Sequence, residues 1–61
     1  MDNLVKKVRL LEKMTLEDLS EACGVPVSTI SDIERGAEPR VSTAIHIARA
    51  LKTSVEHLWP G

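Results

Sequence analysis

The 61-residue sequence holds a single cysteine, Cys23, so no disulfide closes within the chain. No Cys/His spacing matches a zinc site, and no metal or other cofactor is expected. Apolar residues never run beyond two in succession, which excludes a membrane-spanning helix and the hydrophobic stretch of a signal peptide. A lone thiol without an export signal fits a reducing compartment, so the expected location is the cytoplasm. An excess of one sign of charge is missing too: the net charge is −1, without the basic surplus of a typical nucleic-acid binder. Glycine-rich phosphate loops and nucleophile–base constellations are absent, and no enzyme is expected.

Length sets the next limit. A chain this short makes one domain, residues 1–61, with one small core; folding buries only about 60% of the surface the unfolded chain exposes. Stability must come from well-packed helices or self-association. The charge is unevenly spread. Lys6, Lys7, Arg9 and Lys13 against Asp2 and Glu12 leave residues 1–15 at +2. Glu17, Asp18, Glu21, Asp32 and Glu34 against Arg35 leave residues 16–35 at −4. The middle of the chain is the acidic part.

No strand pattern persists, whereas the helical period recurs throughout. Leu4, Val5, Val8 and Leu11 share one arc of a helix expected over residues 2–13, with Leu10 outside it. Thr15 is placed to cap a second helix running from Leu16 to about Cys23, with Leu19 and Cys23 inward. Gly24 suits the left-handed residue that ends it. Pro26 suits the first turn of a third helix, to Glu34, that buries Ile30 and Ile33. A fourth helix opens at Val41 or Ser42, and Ser54 caps a short fifth. The expected class is all-α, a compact bundle of five helices.

A helix, a tight glycine-bearing turn and a second helix make a helix-turn-helix. The segments "TLEDLSEACGVPVSTISDIERG" and "TAIHIARALKTSVEHLW" resemble the Cro/C1-type (lambda-repressor-like, XRE family) helix-turn-helix domain. The likeness runs from about Leu4 to Trp59 and rests on Leu19, Gly24, Val25, Ile30, Ile33, Glu34 and Gly36 at fixed offsets, then "IARAL" and "SVEHL". It implies a lambda-repressor-like fold whose second and third helices form the motif.

The resemblance also implies roles. Its third helix lies in the major groove of double-stranded DNA, which puts Val27, Ser28 and Asp32 toward base edges, with Thr29 and Ser31 at the margins. Phosphate positions fall on Thr15, Leu16, Arg35 and Arg40, with Lys13 close enough to add charge. Arg9 and Glu34 fall where the family pairs an arginine of the first helix with a glutamate ending the third. Two residues depart from the pattern: Leu16 replaces a common glutamine, and Lys52 replaces a helix-ending glycine. Cys23 reads as a small buried hydrophobe. His46 and His57 form no site.

So few cations imply weak binding by one protomer, and hence a homodimer. Leu58 and Trp59 are the expected interface, although Trp59 equally suits a lid on the core. The implied function is sequence-specific regulation of transcription by a bacterial or phage-encoded protein, most simply a repressor on a palindromic operator. No small-molecule ligand and no membrane partner are expected. The alternative is a protein-interaction module on the same scaffold with weak or lost DNA binding, which Leu16 and the acidic middle segment favour.

Overall fold

Local signals start and stop the helices. In the computed structural model, which describes residues 1–61, they are α1 (Val5–Leu11), α2 (Leu16–Cys23), α3 (Val27–Glu34), α4 (Val41–Ala50) and α5 (Val55–Leu58). Thr15 caps α2 in a reciprocal box: its hydroxyl accepts from the Asp18 amide, and the Asp18 carboxylate accepts from the Thr15 amide, each at 3.0 Å. Ser54 caps α5 by accepting from the His57 amide. Gly24 ends α2 at φ 75°.

Each helix sends one fully buried side chain to a common core: Val5, Leu19, Ile30, Ile47 and Leu58. Val25, Ile33, Ala48 and Leu51 complete it, with Val8, Met14, Leu16, Cys23 and Trp59 packed around the edge. Helix α2 lies against both α3 and α4, α1 packs on α3, and α5 on α4. Trp59 is half-buried, and its Nε1 is enclosed without an acceptor.

Three expectations need correction. Helix α1 is shorter than residues 2–13, because Asn3 starts it by accepting from the Val5 amide at 3.0 Å. Leu4 donates its own amide across to the Leu58 carbonyl. Leu11 is 69% exposed rather than inward. The chain reverses at Lys13 and returns Met14 to the core edge. Pro26 stands just outside α3, at ψ 145°, and its carbonyl accepts the Ile30 amide of the first turn.

The turns after α1, α3 and α4 share one closing pattern. The Met14, Ala37 and Thr53 amides reach back five residues, to the Arg9, Asp32 and Ala48 carbonyls. This pattern needs a left-handed residue one position earlier. Gly36 supplies it after α3, but lysines do so after α1 and α4, with Lys13 and Lys52 both at φ 58°. A side chain there costs about 1–2 kcal/mol, partly offset because glycine loses more freedom on folding.

Lys52→Gly is therefore expected to stabilise the protein by about 0.5–1 kcal/mol. In thermal unfolding that is a rise of about 2–8 °C. Gly24→Ala should do the reverse, by about 1 kcal/mol. A Cβ at Gly24 meets nothing within 4 Å, so its cost is purely conformational.

Candidate nucleic-acid interface

Helix α3 is eight residues long, too short to persist alone, so its surroundings hold it. At its start, Ser20 Oγ donates to the Val25 carbonyl at 2.6 Å, tying α2 across the turn. The Gly24 amide closes the same turn on the Ser20 carbonyl. Ile30 and Ile33 bury its inner side.

Polar contacts fix its far end. Arg9 Nε donates to Glu34 Oε2 at 2.7 Å, and Nη2 to Oε1 at 3.3 Å. The third arm, Nη1, donates to the Met14 carbonyl at 2.9 Å. Both side chains of the pair are under one-tenth exposed. Asn3 adds a second tie: Nδ2 donates to the Ile33 carbonyl at 2.8 Å, while Oδ1 holds the start of α1. The roles of Asn3 and Ser20 escape sequence reasoning, because Ile33 is thirty residues from Asn3 and Val25 lies beyond the end of α2.

The outer side of α3 stays open. Ser28, Thr29, Asp32 and Arg35 are exposed, and Val27 and Ser31 are half-buried. Ser28, Ser31, Asp32 and Arg35, at helical spacing, share one stripe. Arg35 Nη2 donates to Ser31 Oγ at 2.7 Å and lies 4.0 Å from Asp32 Oδ1. Along one flank an open groove of about 540 Å³ runs between Thr29 and Asp32 of α3 and Arg40, Thr43 and His46, from the cap to the middle of α4.

The flanking residues divide. Lys13 is exposed in the turn before α2, and Arg40 is exposed at the start of α4. Thr15 is exposed, but its hydroxyl is already engaged as a cap. Leu16 turns its side chain toward the core edge. The first amides of α2 have no partner within the helix, so Leu16 and Glu17 present free donors there.

Leu58 is fully buried in the core, so its side chain has no surface to give a partner. The apolar surface lies beside it instead. Met1, Pro39, Val41, Val55 and Trp59 line a hollow of about 220 Å³, and Val41 is 77% exposed.

A family model described as helix-turn-helix matches residues 5–58, from the first residue of α1 to the last of α5. The chain belongs to the Cro/C1-type helix-turn-helix family. This is a family of DNA-binding transcription regulators, whose partner is double-stranded DNA. Among curated proteins, none matches the sequence. No helix is long and apolar enough to cross a membrane.

The buried pair yields a direct test of what holds α3. Glu34→Ala leaves Arg9 charged and enclosed, and should cost about 3–5 kcal/mol in urea unfolding. A domain of this length has only about 3–9 kcal/mol in total. Arg9→Met combined with Glu34→Leu should recover most of that loss, since neither charge then remains buried. A loss below about 1 kcal/mol for Glu34→Ala would mean the pair behaves as a solvated surface contact.

Proposed function

We propose that this protein is a sequence-specific transcription regulator, a repressor that binds a palindromic operator as a dimer with α3 in the major groove. The observation that carries the reading is the division of labour on α3. Its inner side and far end are fully engaged by the fold, while Ser28, Thr29, Ser31 and Asp32 form a polar outer face. A major groove admits such a helix and presents donors and acceptors that these side chains match. Ser28 reads weakly, since a hydroxyl both donates and accepts. Asp32 accepts from a cytosine N4 amine, and the exposed part of Val27 packs on a thymine methyl. Thr29 borders the groove.

Lys13 and Arg40 flank α3 from the preceding and following turns and serve as phosphate cations. The free amides of Leu16 and Glu17 add neutral phosphate contacts at the start of α2, as does the Thr15 hydroxyl proton. Arg35 stands between the two roles, and its contacts inside α3 decide which it takes.

Two to four phosphate contacts per protomer give a weak complex, so doubling them is what makes occupancy effective. The molecule measures 27 × 20 × 18 Å. Two copies therefore fit side by side on half-sites about 34 Å apart. The apolar hollow beside Trp59 is the surface available for their contact.

A labelled duplex selected from a random pool, titrated at about 50 and 200 mM salt, tests the reading. With four to eight contacts in a dimer, affinity should fall about 10²- to 10⁴-fold across that range. The selected sites should be palindromic. Arg40→Ala should weaken binding to every duplex and make the salt slope shallower by about 0.9 per protomer. Ser28→Ala and Asp32→Ala should instead alter base preference. No binding at 50 mM salt to any duplex would favour the second reading, a protein-interaction module. The acidic surface of α2, with exposed Glu17, Asp18 and Glu21, and the inward Leu16 support that alternative.

A further inference from the structure

We infer that Arg35 positions the reading side chains of α3 instead of binding a phosphate, and that it makes Ser31 a hydrogen-bond donor to a base. The inference rests on the DNA-binding reading and assigns it a specific chemistry.

A serine inside a helix ordinarily has a competing option, donation to the carbonyl four residues back. Ser31 does not take it; its one side-chain bond is the one it accepts from Arg35 Nη2 at 2.7 Å. A guanidinium only donates, so the serine oxygen is the acceptor in that contact. The hydroxyl proton is left without a protein partner, and the adjacent cation favours its pointing away from the guanidinium. A group that could both donate and accept thereby presents mainly as a donor.

The same guanidinium nitrogen lies 4.0 Å from Asp32 Oδ1, so one cation serves both neighbours. It offsets the charge of a carboxylate that phosphates would otherwise repel. Ser31 then offers a donor and Asp32 an acceptor, side by side. The matching base edges are a carbonyl or ring nitrogen for Ser31, such as guanine O6 or N7 or thymine O4. For Asp32 the match is an exocyclic amine, cytosine N4 or adenine N6.

The test compares wild type with Arg35→Met, Ser31→Ala and the double variant. Each is titrated against duplexes carrying all four bases at every position of the selected site, at two salt concentrations. Arg35 is three-quarters exposed, so Arg35→Met removes the donors without opening the core. Wild type should prefer an acceptor-bearing base at one position by about three- to tenfold. Arg35→Met and Ser31→Ala should each flatten that preference, the double variant should flatten it no further, and the salt slope should stay unchanged. Equal weakening of all duplexes by Arg35→Met, with a slope shallower by about 0.9 per protomer and the preference intact, would make Arg35 a phosphate contact and overturn the inference. Absence of binding by wild type to any duplex would overturn the DNA reading itself, and the inference with it.

Discussion

The two-pronged contact between Arg9 and Glu34 is the constraint on which the placement of α3 depends. Apolar burial is non-directional: Ile30 and Ile33 keep α3 on the core but do not by themselves fix its rotation. A guanidinium fork on a carboxylate is directional, because two parallel bonds set the relative orientation of their helices. The third bond, to the Met14 carbonyl, extends the constraint into the turn between α1 and α2. Arg9 thus joins α1, the turn after it and the end of α3 through three hydrogen bonds. Enclosing such charges brings a desolvation cost, so the gain is orientation more than stability.

That arrangement explains much of the acidic middle segment. Of its five acids, Glu34 is enclosed by Arg9, and Asp18 is engaged as the reciprocal partner of Thr15. Asp32 has Arg35 beside it. Glu17 and Glu21 remain as exposed acids on α2, and Glu17 also complements the dipole at that helix's start. A net charge counted along the sequence treats all five alike. The folded chain distributes them among a buried pair, a cap, a neighbouring cation and solvent. An acidic count is therefore a poor guide to the field at the outer face of α3.

What was legible in the sequence was what neighbouring residues decide. Thr15 with Asp18, Gly24, and Ser54 announce helix ends through residues at most four positions away. The spacing of Ile30 and Ile33, and of Ala44, Ile45, Ile47, Ala48 and Leu51, gives the buried sides, with Ile45 only half-buried. The third-helix face and the Arg9–Glu34 match needed the family resemblance, because composition alone points to no partner. The illegible parts turn on distant chain. Leu11 fits the inward arc of α1, yet Met14 occupies the core edge once the chain reverses. Asn3 looks like any polar residue near a terminus until the end of α3 arrives beside it. Leu58 and Trp59 are adjacent in sequence, but one fills the core while the other covers its edge.

Lys13 and Lys52 show why strain alone does not locate function. Both sit at φ 58°, close identically shaped turns, and bear the same conformational cost. A cation also suits a helix C-terminus, which gives each lysine a structural reason for its charge. Lys52 follows α4, on the far side of that helix from the turn that carries Arg40. Lys13 instead lies three residues before Leu16, close to the free amides that begin α2. Lys13 therefore differs from Lys52 in its neighbours along the chain, not in its backbone strain. The left-handed turn supplies the geometry that places it there, and a glycine would keep the turn while losing the charge.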